Sequence, residues 1–484
     1  MDEVDCMNSS LMTGDDRALP SDFILGAATA AYQIEGGAAE GGRGPSIWDV
    51  FSHVPGKIAD GGTGDVAADH YHHVEADLDL MAALHLPAYR FSLSWSRVIP
   101  DGDGEVSPEG LAFYSHLIDG LLDRGIDPIV TLNHWDLPQA LEDKYGGWRG
   151  RETAFAFERY AEIVGKAFGD RVVIWSTHNE PWNNSYAGYG SGHFAPGGTS
   201  HADALKAVHH LNLSHGLAVA ALRRTISNPQ AKVSVVLNLF RIEPRSPGDV
   251  EAARLVDAVA NRAFTGPMLR GAYPEDLLND TAGFTDWSFV LAGDLEICNQ
   301  PIDLLGVNYY EVMHVRLAPE PAEMLSLGGT PYPGSERVEE VHVEGIGRTA
   351  MNWGVEPRGL EEHLLALSAE FPSLPIMVME NGAAFEDVVT ESSSGPVVID
   401  RDRTQYLIDH LSATLNARDR GANVVGYLVW SLLDNFEWAL GYGPRFGIVR
   451  VDYATLERTP KMSAYWFAEV CASRTVRTEI QVAA

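Results

Sequence analysis

Short apolar, β-favouring runs alternate with helix-length segments through almost the whole chain, the pattern of repeated strand–helix units around or within a parallel sheet. The runs predict strands at Phe23 to Ala28, Ala88 to Ser92, Asp127 to Leu132, Val173 to His178, Lys232 to Leu237, Leu304 to Val307, Ile376 to Met379 and Val424 to Trp430. Between them the chain predicts helices at about Tyr71 to Leu84, Pro108 to Arg124, Arg151 to Phe168, Ala202 to Thr225, Gly248 to Thr265, Gly359 to Ala369 and Asp402 to Arg420.

Eight such strands without a linker rich in Pro, Gly and Ser imply one closed (β/α)8 TIM barrel, an α/β fold; a doubly wound sheet stays open as the alternative. The barrel is expected over residues 19–470 as a single domain, with a flexible tail at 1–18 and a C-terminal tail at 471–484. The glycine clusters between Gly41 and Gly64, and the segment from Glu311 to Gly354, exceed ordinary connections. In a barrel they become long βα loops over the C-terminal face, where such loops shape a pocket.

The 484 residues, 45% hydrophobic, are enough for a large core. Lys plus Arg number 35 against 67 for Asp plus Glu, a formal charge of −32, which disfavours nucleic acid and anionic membranes as partners. Three dispersed cysteines, Cys6, Cys298 and Cys471, form neither a disulfide framework nor a Cys-x-x-Cys site, and fit a reducing, cytoplasmic setting. No apolar stretch approaches the length of a membrane span.

Residues suited to a pocket stand at or just past the predicted strand ends: Gln33, Arg90, His134 with Trp135, Asn179 with Glu180, Asn308 with Tyr310, Glu380 and Trp430. Strand ends are rigid and converge on one mouth, so the grouping fits a barrel enzyme, although each residue alone reads equally as structural. Glu180 in T-H-N-E-P and Glu380 in V-M-E-N-G fall on the fourth and seventh strands. Two carboxyl groups are the minimum equipment for cleaving a glycosidic bond, one to protonate the leaving oxygen and one to act at the anomeric carbon directly or through water. Pro181 and Trp182 make a partly apolar surround that would raise the pKa of Glu180, while Arg90 or Tyr310 would keep Glu380 ionised.

The stretch W-S-L-L-D-N-F-E-W-A-L-G-Y-G-P-R-F sets Trp430, Glu437, Trp438 and Phe446 around a glycine-rich loop, a mixture that suits a sugar, with Phe436 assigned to core packing. Metal binding by His134 lacks a second ligand at a suitable spacing, and D-H-Y-H-H, with Asp69, His70, His72 and His73, opens a helix on which residues two apart face away from each other. Neither a phosphate-cradling G-x-x-x-x-G-K-[ST] nor a well-placed G-x-G-x-x-G occurs.

From about Leu19 to Val470 the chain closely resembles glycoside hydrolase family 1, the retaining β-glucosidases and their relatives. The segments that carry the likeness are F-I-L-G-A-A-T-A-A-Y-Q-I-E-G, Y-R-F-S-L-S-W-S-R, L-N-H-W-D-L-P, H-N-E-P, G-V-N-Y-Y, E-N-G, and D-N-F-E-W with G-Y-G-P-R-F-G. The resemblance implies a single (β/α)8 barrel in which Glu180 is the acid/base and Glu380 the nucleophile. It implies that Gln33, His134, Asn179, Glu437 and Trp438 grip the terminal sugar, that Arg90 and Tyr310 support the nucleophile, and that Trp353 and Trp430 line the pocket; no cofactor or metal is needed. Asn308 and Phe446 complete the expected substrate-binding set.

Two positions depart from that family's usual pattern: Met379 where Thr precedes the nucleophile, and His178 where Phe precedes the Asn–Glu pair. Both are expected to tune packing or pH response without loss of reaction. The branch acting on 6-phosphorylated sugars carries Ser and a Lys-x-Tyr clamp where this chain reads Glu437, Trp438 and Ala439, which favours unphosphorylated glucosides such as cellobiose, short β-glucosides or aryl β-glucosides. A non-hydrolytic sugar or protein binder and a glycosyl-transferring enzyme remain as alternatives. Glucoside, galactoside and fucoside preference, the leaving group and the oligomeric state are not legible.

Overall fold

A closed barrel of parallel strands forms the centre of the computed structural model, which describes residues 16–318, 332–392 and 395–477. In chain order the strands are β1 (Ile24–Ala28), β2 (Ala88–Ser92), β3 (Asp127–Asn133), β4 (Ile174–Asn179), β5 (Lys232–Leu237), β6 (Leu304–Asn308), β7 (Ile376–Asn381) and β8 (Val424–Trp430). Each strand pairs with the next, and β8 returns to β1 through Gly426 opposite Ile24 and Trp430 opposite Ala28, which removes every edge and rules out the doubly wound alternative.

At least one helix follows each strand, the main ones being α1 (His70–Ala83), α2 (Pro108–Asp123), α3 (Arg151–Phe168), α4 (His201–Thr225), α5 (Val250–Asp257), α6 (Pro357–Glu370), α7 (Arg401–Asp419) and α8 (Met462–Ser473). Local chemistry sets their starts. Ser107 accepts the Gly110 N–H at 3.0 Å ahead of Pro108, and Ser200 accepts the Asp203 N–H at 3.2 Å. On α3, Ala154, Phe157, Tyr160, Ala161, Val164 and Phe168 are buried, the three- and four-residue spacing of a stripe laid on the barrel wall. The predicted helix from Gly248 to Thr265 instead splits into α5, a wider π-type turn at Ala258–Arg262 and a short helical turn at Ala263–Thr265.

Ala88, Ile129, Ile174, Val236, Leu304, Met377, Met379 and Leu428 pack together inside the barrel. Above this plug two strands break the period-two alternation. In β4 the register against β5 slips between Ser176 and Asn179, and in β7 the register against β6 slips between Val378 and Glu380. Each slip inserts a residue and re-aims the side chain that follows. Asn179 and Glu380 therefore both turn inward and meet Arg90, while His178 faces out onto Phe157 of α3.

The long connections partly fold. Arg241–Pro244, Val312–Leu317 and Val338–Glu340 make a small sheet, and within the expected loop from Glu311 to Gly354 the residues 319–331 lie outside the described ones. At the ends, Arg17–Ala18 pairs antiparallel with Thr475–Val476, so ordered chain extends into both expected tails; 1–15, with Cys6, and 478–484 lie outside the described residues. No helix among the described residues is long and apolar enough to cross a membrane.

Gly382 ends the E-N-G turn for a reason of space: a Cβ there would stand 1.7 Å from the Trp430 carbonyl oxygen on the neighbouring β8. Its φ is not positive, so close approach of two backbones, and not a left-handed turn, demands glycine. Gly382→Ala is expected to lower the unfolding free energy by about 1–3 kcal/mol, read as a fall in Tm. Gly283→Ala, where an added Cβ meets nothing within 4 Å, is the control expected to leave Tm unchanged.

Candidate active site

The loops beyond the C-terminal strand ends border a cleft of about 1140 Å³, part of it open to solvent. Its wall includes His134, Glu180, Asn308, Tyr310, Trp353, Glu380, Trp430, Glu437, Trp438 and Phe446, so most residues singled out in sequence converge there. Arg90, Gln33 and Asn179 stand behind the wall and reach it through hydrogen bonds.

Arg90 is fully buried and bonded on every face. Its Nη1 donates to Glu380 Oε1 at 2.6 Å, its Nη2 to Asn179 Oδ1 at 2.7 Å, and its Nε to Thr131 Oγ1 at 3.1 Å. The other Glu380 oxygen accepts the Tyr310 hydroxyl at 2.8 Å. Glu180 has a different surround: Asn308 Nδ2 donates to Oε1 at 2.7 Å and Asn183 Nδ2 to Oε2 at 2.5 Å, both neutral amides.

These partners separate the two carboxyls electrically. Burial, followed by the charge of Glu380, pushes Glu180 up to about 8. Burial also raises Glu380, but Arg90 and the Tyr310 hydroxyl oppose it there, so Glu380 is the member that ionises and Glu180 the member that keeps the proton. Glu180 also sits at φ +45°, a left-handed conformation that costs a non-glycine residue free energy and is held by its two amide contacts.

A second set of groups offers unpaired hydrogen-bonding atoms. Asn179 Oδ1 accepts from Arg90 and Asn308, which turns its Nδ2 toward His134 Nε2 at 3.1 Å. His134, held neutral by burial and by Arg90, must then carry its proton on Nδ1, a buried atom with no partner among the described residues. Gln33 Nε2 donates to Asn435 Oδ1 and the Phe436 carbonyl, with Glu437 Oε2 at 3.4 Å, leaving Gln33 Oε1 buried and without a partner among the described residues. Buried polar atoms without partners are rare in folded chains and mark places where a polar ligand completes the bonding.

Aromatic rings frame these groups. His134 stacks on Trp430 at 5.7 Å and on Trp438 at 6.1 Å, and Trp438 stacks on Tyr32 at 6.0 Å. On the other wall Trp353 packs against Tyr310 at 5.1 Å and Phe446 at 5.9 Å. Phe436 lies in the core against Tyr32, as its sequence context implies.

Burial and Glu380 push Glu437 up to about 8, so at neutral pH it is largely a neutral acid and would repel a phosphate only weakly. The case against a phosphorylated sugar passes to the cleft wall, which contains neither Lys nor Arg among the described residues.

Asn183, Phe194, Phe240 and Tyr332 were missed in sequence, although Asn183 stands three residues after Glu180 at a spacing that faces it on a helical turn. The histidine-rich segment is spoken for by carboxylates: His70 meets Asp77 at 2.8 Å, His72 meets Asp69 at 2.6 Å and Glu40 at 3.0 Å, and His73 meets Asp69 at 3.3 Å. No group of three or more His, Cys, Asp or Glu among the described residues is arranged to hold a metal ion.

A parallel barrel whose C-terminal mouth holds two carboxyls of opposite protonation, ringed by indoles and unpaired polar atoms, defines a barrel enzyme equipped for acid–base and nucleophilic work on a polyhydroxylated substrate. The chain belongs to glycosyl hydrolase family 1, whose model matches residues 15–476. It is 46% identical over 95% of its length to a bifunctional β-D-glucosidase/β-D-fucosidase of Bifidobacterium breve, covering 99% of that protein. It is 47% identical over 94% of its length to thermostable β-glucosidase B of Thermobispora bispora, of which it covers 91%. Among solved structures, the psychrophilic β-glucosidase BglU of Micrococcus antarcticus superposes with a TM-score of 0.89 at 47% identity, covering 95% of this chain and 98% of that one.

Of the two departures from the family pattern, Met379 fills the barrel plug and His178 replaces a ring with a ring. His178 stacks on Phe157 at 4.6 Å, accepts from Asn133 Nδ2 at 3.1 Å and meets Ser214 Oγ at 2.8 Å. His178→Phe keeps the stacking but strands the Asn133 amide, so it is expected to cost about 1–3 kcal/mol, measured by chemical denaturation.

The Glu180 proton gives a second expectation. An ordinary glutamate releases it near 4.5 and the folded chain near 8, so between those values the folded state binds the extra proton and stability from this group falls as pH rises. The Tm of Glu180→Gln minus that of the parent should therefore grow from pH 5 to pH 8. A difference constant across that range would mean that Glu180 is already ionised in the fold.

Proposed function

We propose that the chain is a retaining β-glucosidase that removes terminal non-reducing β-D-glucosyl residues from cellobiose, short β-glucosides or aryl β-glucosides through a covalent glycosyl-enzyme. The observation that carries this reading is the unequal surround of two buried carboxyls on one cleft: Glu380 on Arg90 and Tyr310, Glu180 on neutral amides alone.

In the first step a Glu380 oxygen attacks the anomeric carbon as the glycosidic C–O bond breaks, and the leaving oxygen takes the Glu180 proton. Ester formation removes the charge of Glu380, one of the causes that holds the Glu180 proton, so Glu180 becomes the stronger acid and is ready to act as base. Glu180 then takes a proton from water, the water oxygen attacks the anomeric carbon, and the ester C–O bond breaks to restore Glu380. Two displacements return the β configuration.

His134 Nδ1–H, Gln33 Oε1 and the Glu437 carboxyl supply the donors and acceptors for the glucosyl hydroxyls, Asn179 and Asn308 lie beside the reacting centre, and Trp430, Trp438 and Phe446 supply its apolar walls. Trp353 lies toward the leaving group. The buried free thiols Cys298 and Cys471 support a reducing, cytoplasmic location, and breakdown of cellulose-derived oligosaccharides fits the substrate class. The name of the Bifidobacterium relative favours a second activity on β-D-fucosides at the same site.

Hydrolysis of aryl β-glucoside, β-fucoside, β-galactoside and 6-phospho-β-glucoside, with the product anomer followed by NMR, tests this reading. β-Glucose should appear first, and Glu380→Ala should abolish its release. Glu180→Ala should lower turnover of poorly departing leaving groups by about 10²–10⁴-fold. The parent's kcat/KM should fall on the alkaline side near pH 8 as Glu180 loses its proton. First appearance of α-glucose, or full activity in Glu380→Ala, would overturn the assignment.

A further inference from the structure

Glu311 directly follows Tyr310 and lines the cleft, yet the chemistry above does not use it. Its Oε2 accepts the backbone N–H of Gly354 at 3.0 Å, the residue next to Trp353. Within the turn that carries Trp353, Thr349 N–H donates to the Trp353 carbonyl at 3.0 Å, and Thr349 Oγ1 accepts the N–H groups of Met351 and Trp353 at 3.2 and 3.3 Å. Asn352 within it takes φ +63°. The turn meets its surroundings through Ala350 N–H, which donates to the Ala384 carbonyl at 2.8 Å, through Asn352 Nδ2, 3.2 Å from His342 Nε2, and through the Glu311 side chain.

Trp353 makes its ring contacts with Tyr310 and Phe446, whereas His134, Trp430 and Trp438 stack together on the Glu437 side. Its indole is half-buried where those of Trp430 and Trp438 are buried, which sets it nearer the outside of the cleft. We propose that Glu311 is a positioning residue for the leaving group: by holding Gly354 it fixes the Trp353 indole at the angle at which a departing sugar or aryl ring rests on it. The inference rests on the β-glucosidase reading and adds to it a residue that sets leaving-group affinity without touching the glucosyl unit.

The surroundings define what the side chain must supply. Glu311 is half-buried near Glu340, Glu356 and Arg348, with His314 bound to Glu356 at 3.0 Å. Burial and the Glu340 charge push it up to about 8, so near neutrality it accepts the Gly354 N–H as an uncharged acid. A glutamine, uncharged and of the same length, reproduces that acceptor.

The test compares the parent with Glu311→Ala and Glu311→Gln on cellobiose, 4-nitrophenyl β-glucoside and 2,4-dinitrophenyl β-glucoside, with Tm recorded for each chain. Loss of one hydrogen bond at a positioning site is expected to raise KM for cellobiose and the 4-nitrophenyl glucoside by roughly 3- to 10-fold in Glu311→Ala, with Glu311→Gln restoring it. With the dinitrophenyl glucoside, whose leaving group departs before the slow hydrolysis of the ester, kcat should stay within about twofold of the parent. Trp353→Ala should raise KM similarly, and the double variant should add little to either single change.

If kcat on the dinitrophenyl glucoside falls as far as kcat/KM on cellobiose, Glu311 acts through Tyr310 on the nucleophile and the proposal fails. It also fails if glutamine does not rescue KM. Should Glu311→Ala not fold, Glu311→Met, which fills the space without accepting, must show the same KM rise. Absence of turnover by the parent on all three substrates would instead remove the β-glucosidase reading itself.

Discussion

A single guanidinium organises the mouth of this barrel. Arg90 reaches from β2 to Thr131 on β3, Asn179 on β4 and Glu380 on β7, and all of these contacts lie out of water. A buried cation left alone is strongly unfavourable, so every strand that approaches it must present an acceptor. That requirement fixes which way Asn179 and Glu380 face, and Asn179 then fixes the amide of Asn308 and the tautomer of His134. Orientation at the site is passed from one buried group to the next, starting from Arg90.

The same requirement explains the two register slips. Met377 and Met379 both enter the barrel plug, so strict alternation would send Glu380 outward into the helical layer. The slip after Val378 brings it inward on top of Met379. On β4, Ser176 faces inward against Ser234, and the slip before Asn179 does for that residue what the other does for Glu380. The free energy of two interrupted ladders is offset by bringing a charge and an amide onto Arg90, and the functional side chains thereby sit on strands instead of mobile loops.

How much of this was legible in the sequence follows from the range of the interactions. Strand and helix positions depend on local composition, and β2, β5, β8 and α3 fall on their predicted boundaries, while β7 extends two residues past its predicted end because Glu380 and Asn381 still pair with β6 and β8. The barrel order follows from strand–helix alternation. The slips and the left-handed backbone of Glu180 were not legible, since they depend on partners on other strands, whereas the Asn183 contact follows a local three-residue spacing that was overlooked. The small sheet between Arg241 and Glu340 escaped notice because its strands are short and lie inside segments of turn composition. Gly382 is required by a carbonyl 48 positions further along the chain, which no local pattern reveals.

Glu180, Glu380 and Glu437 share one apolar cleft, and an apolar cleft by itself would protonate all three. Only Glu380 is given a cation, and once it carries the charge it raises the proton affinity of the other two across the cavity. The ionised state of one carboxylate and the neutral state of its neighbours are therefore a single electrostatic arrangement. Neutralising Glu380, by whatever chemistry, must release Glu180 and Glu437 toward ionisation together. A reaction that alternately masks and restores the charge on Glu380 drives its own proton shuttle, and needs no movement of the scaffold to do so.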